Sequence, residues 1–222
     1  MLEVGSDRSA GRAREDYVKA IYQLGEEGIV RAADVARHLG VTPVAVSKAR
    51  RILERESLVE KGGAGPDGLH LTKQGRDLAL AMVRRHRLLE TFLYTALKIP
   101  LHRIHAEAER IEHVFSDDLA ERLAQLMGRP EFDPHGHPVP YGPQPRPARP
   151  ARLTRFGPGT AIRVVSLDDR DEEAVKALAA AGVLPGLRAV VHATGAASVH
   201  LKWKDKIARL SRVHAEMVRV SV

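Results

Sequence analysis

The sequence predicts a mainly α protein with a small β part: a winged helix-turn-helix, then a helical metal-binding domain, then a small C-terminal β-barrel. Three observations predict it. Residues 31–72 read as two short helices followed by two alternating runs around a Gly-rich loop. Taken at roughly 100° per residue, His105, Glu109, Glu112 and His113 fall within an arc of about 100° on one side of a helix. Beyond residue 153, short β-branched runs with Gly-containing turns replace the long helical stripes.

The bulk properties narrow the function. A chain of 222 residues, 44% hydrophobic and 28% charged, has room for one large or two modest cores. No run approaches the ~18 apolar residues of a membrane span, so no membrane partner is expected. Met1–Asp7 has no apolar core behind a basic patch, so no secretion signal is read and a cytoplasmic location is expected. With no cysteine, disulfides, iron–sulfur clusters and thiolate zinc sites are excluded. Any metal must be held by nitrogen and oxygen. Lys and Arg number 35 against 28 Asp and Glu, a net charge of +7 that points to an anionic partner, nucleic acid before membrane.

From Gly11 to about Leu24, Tyr17, Val18, Ile21 and Leu24 form one helical stripe. Asp16 stands beside that stripe, where a first-turn acid also suits the positive helix end. Arg31–Leu39 is a short helix ended by Gly40, with Val41 packed in the turn. Thr42 is the N-cap and Pro43 the first residue of a second helix, Val44–Arg55, with Val46, Ala49, Ile52 and Leu53 apolar. This is a helix-turn-helix. Thr42 and Pro43 open the reading helix; Ser47 and Lys48 are expected at base edges, and Arg50, Arg51 and Arg55 at phosphates. Leu58–Lys61 and Leu69–Thr72 flank the Gly-rich loop as a wing.

Thr72 caps a long helix, Lys73 to about Leu97, on which His86 and Glu90 are an i, i+4 pair. Ile99-Pro100 breaks it, and the His/Glu row follows. That row rises about 12 Å from His105 to His113 at ~1.5 Å per residue, too far for one ion with bonds of about 2.0–2.6 Å. It suggests two neighbouring sites, one near His105 and one around Glu109, Glu112 and His113; a solvated charged face is the alternative. Ser116-Asp117-Asp118 caps a further helix to Met127, stopped by Gly128 and Pro130. Asp133-Pro134-His135-Gly136-His137-Pro138 reads as an ordered turn rather than as ligands. Val139 to Arg152 is a Pro-rich basic linker. Strands are expected at 160–165, 188–193, 198–201 and 217–220, with a helix over 172–181. The acids of Asp168–Glu173 either cap that helix or reach back towards the metal.

These motifs, in this order, resemble the diphtheria-toxin-repressor family of metal-dependent transcriptional regulators over nearly the whole chain. Glu15-Asp16-Tyr17 to Ile21-Tyr22 looks like the family's first helix, and 31–72 like its winged helix-turn-helix. His86-Arg87-Leu88-Leu89-Glu90 and His105-x-x-x-Glu109-x-x-Glu112-His113 look like its two metal motifs. Asp133-Pro134-His135-Gly136 resembles its characteristic loop, and 153–222 its Src-homology-3-like (SH3-like), FeoA-type barrel. The resemblance implies domains at 1–72 (DNA binding), 73–138 (metal binding and dimerisation), 139–152 (linker) and 153–222 (barrel). It implies one metal site of Asp16, Glu109, Glu112 and His113. An ancillary site would use His86, Glu90 and His105, with Asp171 matching the barrel's usual Glu and Ala174 standing where a Gln would be.

Iron-responsive members have Met at the position of Asp16 and Cys at that of Glu109. Both are carboxylates here, as in the manganese-responsive branch, and harder oxygen donors suit Mn²⁺, with Fe²⁺ as the alternative. That branch carries a second acid where this chain has Lys19. The implied protein is a homodimeric repressor of metal-uptake genes, whose ion fixes two reading helices for half-sites about 34 Å apart in a palindromic operator. Two rivals remain. A di-metal carboxylate oxidase needs Glu-x-x-His on two helices, but the step from Glu109 lands on Glu112 and has no second copy, so no enzyme is expected. A regulator with a purely structural metal would bind DNA equally in chelator.

Overall fold

Helix α1 (Val4–Leu24) buries Val18, Ile21 and Tyr22, one turn apart on one stripe, and this spacing sets the core of the reading head. The computed structural model describes residues 4–25, 28–60, 68–142 and 150–222, with side chains from Gly11 onward. α2 (Ala32–Leu39) ends at Gly40, whose φ of 65° is the left-handed C-cap that glycine adopts without penalty. α3 (Pro43–Arg55) opens on Thr42, whose hydroxyl accepts from the Ala45 N–H at 3.2 Å. Such a cap is worth about 1 kcal/mol. Val35, Ala36, Val46 and Leu53 close the core beneath α1. Val41 and Ile52, expected inward, are 38% and 43% exposed.

The wing stem is present: Val59 bridges Leu71, and the Glu60 N–H donates to the His70 carbonyl at 2.9 Å. The tip of the expected hairpin, 61–67, lies outside the described residues. Thr72 caps α4 (Lys73–Thr95) through the Gly75 N–H, 3.0 Å from its hydroxyl. α5 (Leu101–Ile111) follows Pro100, but stops before the expected end of the His/Glu row: Glu112–Val114 form a 3₁₀ turn. α6 (Asp117–Leu126) completes the helical part.

The C-terminal part is an antiparallel sheet, ordered β1-β6-β2-β3-β4-β5. Its strands are β1 (Ala151–Arg152), β2 (Ala161–Leu167), β3 (Arg188–Thr194), β4 (Ser198–Trp203), β5 (Lys206–Ser211) and β6 (Val218–Ser221). α7 (Glu172–Ala180) and α8 (Arg212–Glu216) are inserted between strands. The expected barrel is corrected: the sheet is not closed, with β1 and β5 as its edges. β5 and β1 are additions to the expected strands, and β1 takes the last two residues of the expected linker. The middle of that linker, 143–149, lies outside the described residues. Ile162, Val164, Val191, Val199, Leu201, Leu210, Val218 and Val220 fill the sheet's inner face. Full burial of each such side chain contributes roughly 1.5–3 kcal/mol.

Two compact units emerge. One holds the described part of Met1–Arg85 with His113–Asp117 and residues 140–142; the other holds His86–Glu112, Asp118–Val139 and the sheet.

Candidate metal centre

In the first unit, α1 presents consecutive acids to one imidazole. Asp16 Oδ1 lies 3.0 Å from His113 Nε2, and Glu15 Oε2 lies 2.8 Å from His113 Nδ1. Behind Glu15 stands Arg85, its side chain only 10% exposed. Arg85 approaches Glu15 at 3.7 Å and Asp117 at 3.3 Å, and donates to the Phe115 carbonyl at 3.2 Å. The guanidinium thus ties the segment that carries His113 to the acidic side of α1. Glu15 was noted in the sequence only as part of the first helix; a carboxylate beside a candidate ligand has no spacing signature of its own.

In the second unit the α4 pair and the α5 row meet. His86 Nε2 lies 3.0 Å from Glu90 Oε1 and 3.1 Å from His105 Nδ1. His86 Nδ1 lies 2.6 Å from Glu112 Oε2 and 3.8 Å from Glu109 Oε1. Glu90 and Glu112 are fully buried, whereas the Glu109 side chain is 42% exposed. One face of His86 is therefore shared with Glu90 and His105 and the other with the α5 terminus. The tightening of α5 into a 3₁₀ turn accounts for a difference from the straight-helix expectation. Glu112 opens that 3₁₀ turn and lies against His86 in this unit.

Asp171, the carboxylate expected from the sheet domain, has other work: its side chain caps α7, accepting from the Ala174 N–H at 3.0 Å. The carboxylate near the histidines is Asp169. Its Oδ2 lies 3.6 Å from His105 Nδ1, 3.7 Å from His135 Nδ1 and 3.5 Å from His137 Nδ1. The turn read as merely structural is thus part of the cluster. His135 is fully buried, donates from Nε2 to the Leu101 carbonyl at 3.1 Å, and turns Nδ1 towards Glu90 at 3.5 Å. Glu90, Asp133 and His135 form one candidate donor group, and His86, Glu90, His105 and Asp169 another.

Three buried atoms decide what this cluster is built for. Glu90 Oε2, Asp133 Oδ2 and His135 Nδ1 have no hydrogen-bond partner, although Arg87 Nε and His137 Nδ1 stand 3.6 and 3.4 Å from Asp133 Oδ2. An unpartnered buried carboxylate oxygen costs several kcal/mol in order of magnitude unless a cation meets it. Two oxygens and a bare imidazole nitrogen are a donor set for a divalent ion of intermediate hardness.

Without an ion, protons do that job. Burial opposes charge on His105, yet Asp169 and Glu90 outweigh it and push the group up to about 11. His135 goes the same way, to about 9: burial works against it, while Glu90, Asp169 and Asp133 raise it. Both lie above the ordinary 6.5, so their stabilisation is fully present below about pH 6.5 and is lost as pH rises towards those values. In chelator, the Tm difference between wild type and His105→Gln is expected to shrink steadily from pH 6.5 to pH 10, on roughly the scale of these shifts. A difference that stays constant across that range contradicts the assignment.

Residues 11–64 match the iron-dependent repressor N-terminal DNA-binding domain, 72–141 its metal-binding and dimerisation domain, and 151–222 the FeoA domain. The iron-dependent repressor IdeR of Mycobacterium tuberculosis is 36% identical over 194 residues, 81% of this chain and 84% of that one. The chain belongs to the iron-dependent repressor family. It is a metal-dependent DNA-binding repressor, and its family consists of transcriptional repressors rather than enzymes. The diphtheria toxin repressor of Corynebacterium glutamicum is 39% identical over 128 residues, 57% of this chain and 55% of that one. A solved manganese-dependent transcriptional repressor in complex with manganese superposes with a TM-score of 0.84 at 34% identity, over 93% of this chain and 98% of that one. ScaR with bound Cd²⁺ gives 0.79 at 27% identity, over 94% and 98%. Manganese or iron fits this repressor, and DNA, metal and a second copy are its partners. No described helix is long and apolar enough to cross a membrane.

The repressor's reading helix exposes one face. Pro43, Val44, Ser47, Lys48, Arg51 and Arg55 are open to solvent. Ser47 donates to the Pro43 carbonyl at 3.1 Å, the Thr42 hydroxyl is occupied as the cap, and Arg50 is paired with Glu54 at 2.7 Å.

Proposed function

We propose that this repressor is switched by Mn²⁺, with Fe²⁺ as the alternative ion, and that the switch shuts off metal-uptake genes in the cytoplasm. Residues 1–72 read DNA, 73–138 bind metal and dimerise, 139–152 link, and 153–222 form the accessory domain. A primary ion would be held by Asp16, Glu109, Glu112 and His113. A second takes donors from His86, Glu90, His105, Asp133, His135 and Asp169. The observation that carries this reading is the pair of buried atoms without a hydrogen-bond partner at Glu90 and His135, beside a cysteine-free ligand inventory. Carboxylates at both Asp16 and Glu109 favour the harder ion.

When bound, an ion would supply positive charge to the carboxylates of Asp16, Glu109 and Glu112. It favours DNA binding only by its greater affinity for the DNA-competent conformer. Half-sites of a palindromic operator, about 34 Å apart, are then met by the two reading helices of a dimer. Ser47 and Lys48 take base edges, with Arg50, Arg51 and Arg55 on phosphates, and Thr42 and Pro43 setting the start of the reading helix.

Glu15 orients His113. A carboxylate on Nδ1 fixes the proton there and leaves Nε2 for the ion, the arrangement that raises ligand basicity in metal-bound histidines. Glu15→Ala is expected to weaken Mn²⁺ binding about 10–100-fold, while Glu15→Gln, which retains an acceptor, restores most of it. Equal losses in both variants would show that hydrogen bonding to Nδ1 is not the cause; isothermal titration calorimetry reads both.

The function itself is tested by fluorescence anisotropy of fragments from the gene's own promoter region and from metal-uptake promoters. Binding is measured with Mn²⁺, Fe²⁺, Zn²⁺ or chelator at stated salt, because phosphate contacts make affinity fall steeply with ionic strength. The reading requires tight binding in Mn²⁺ or Fe²⁺ and weak binding in chelator. Equal affinity with and without metal would make the ion structural.

A further inference from the structure

The sheet domain separates its charges with unusual strictness. Residues 151–222 contain 12 Lys and Arg against 7 Asp and Glu. None of those acids lies on a strand: they occupy 168–173, position 205 and position 216. The strands hold seven cations: Arg152, Arg163, Arg188, Lys202, Lys206, Arg209 and Arg219.

Alternation places most of these cations on one side. Ile162, Val164, Ala189, Val191, Leu201, Ala208 and Leu210 point into the core, so Arg163, Arg188, Lys202 and Arg209 stand on the outer face and are exposed. Arg163 pairs directly with Arg188 across β2 and β3. Lys202 faces Val190 and Ile207, and Arg209 faces His200. Two like charges directly opposite each other oppose sheet formation. None of the four makes an ion pair among the described residues. The Arg163–Arg188 pair adds repulsion rather than stability to the sheet, and an anionic ligand would offset it.

We propose that this face is a second contact surface for the phosphate backbone of double-stranded DNA. Its four central cations run diagonally across β2, β3, β4 and β5: three inter-strand steps of about 4.8 Å and a stagger of four residues at ~3.3 Å each, roughly 19 Å from Arg163 to Arg209. Along the helix axis, at ~3.4 Å of rise per phosphate of one strand, that length covers about five phosphates. The outward positions carry Val, Ile, Ser and His beside the cations but no Phe, Tyr or Trp, so apart from imidazole this face offers no stacking platform for unpaired bases. A duplex backbone needs no such platform. The contact carries no sequence information; it adds affinity and salt dependence to whatever the reading helix recognises. It rests on the DNA-binding reading of the family and extends it to a domain outside the helix-turn-helix.

The test uses the full-length chain, a fluorescein-labelled 40-bp duplex of random sequence, and chelator, at salt from about 50 to 200 mM. Arg163→Gln/Arg188→Gln/Lys202→Gln/Arg209→Gln is compared with wild type, with Tm recorded for each. At about 0.9 per phosphate contact, the slope of log K against log salt should flatten by about two to four, with at least a tenfold loss at ~100 mM. Arg163→Gln/Arg188→Gln alone should give about half of that, with Tm unchanged or raised because a repulsive pair is gone. An unchanged slope and affinity in both variants overturns the proposal. So does tighter binding by a polyglutamate peptide or phosphatidylglycerol vesicles than by the duplex at equal charge. The ratio of promoter-fragment affinity in Mn²⁺ to that in chelator separates the two failures. It is near one in wild type if the metal switch is wrong, and it is retained in the variants if only the sheet contact is wrong.

Discussion

Glu112→Ala abolishes the metal response: DNA affinity in Mn²⁺ falls to the chelator level, a loss of at least about 100-fold, since changes outside the ligand set already cost 10–100-fold. Glu112 is fully buried, and its carboxylate lies 2.6 Å from His86 Nδ1. Its removal therefore takes one proposed ligand from the primary ion and a partner from a histidine of the second group. Glu112→Gln separates charge from shape. The amide fills the same space and can still meet His86, but it is a far poorer donor to a divalent ion, so it should fail nearly as completely. Anisotropy with the promoter fragment reads both variants, and circular dichroism checks that both fold. A Gln variant with wild-type metal response would mean that Glu112 acts by packing alone.

Gly136→Ala is the most damaging single methyl in the sheet-containing unit. Gly136 sits at φ 89°, where side-chain-bearing residues are strained, and a Cβ there would lie 2.0 Å from the Val165 carbonyl oxygen. Neighbouring contacts leave little slack: the Leu167 N–H donates to the His135 carbonyl at 2.9 Å, and the Gly136 N–H to the Asp133 carbonyl at 3.0 Å. Strain plus overlap should cost about 3 kcal/mol or more, a fall in Tm of roughly 6–12 °C for a chain of this size. The loop would be pushed off β2, carrying His135 away from Glu90, so metal stabilisation of that unit should also fall. A Tm within about 2 °C of wild type would mean that β2 yields easily to the methyl.

Much of this was legible in the sequence because it is local. The Thr42-Pro43 start of α3, Gly40 at the end of α2 and Thr72 before α4 are capping signals that act within a few residues. The pairing of His86 with Glu90, and of both with His105, follows helical spacing once α4 and α5 pack together. What escaped was decided by tertiary geometry. In Asp168–Glu173 one acid must cap α7 and another is free to face the histidines; composition does not distinguish them, and the resemblance pointed to Asp171 where the structure turns Asp169. His135 lies in a true turn, as its Gly and Pro neighbours suggest. The turn is nevertheless buried, because Gly136 lets it approach β2. The strand β5 hid behind Lys206 and Arg209, which break a hydrophobic run while leaving Ala208 and Leu210 inward. Closure of the sheet depends on edge strands that sequence period does not pair.

The central claim is that metal and DNA favour one conformer of the repressor, and linkage makes this a numerical demand. If Mn²⁺ tightens DNA by some factor, DNA must tighten Mn²⁺ by the same factor. The direct measurement is a Mn²⁺ titration of the full-length protein, followed by electron paramagnetic resonance of the free ion, with and without saturating promoter duplex. The account predicts that duplex tightens Mn²⁺ binding by the factor seen in the anisotropy experiment, in wild type and not in Glu112→Ala. Mn²⁺ affinity that is the same with and without the duplex would contradict it.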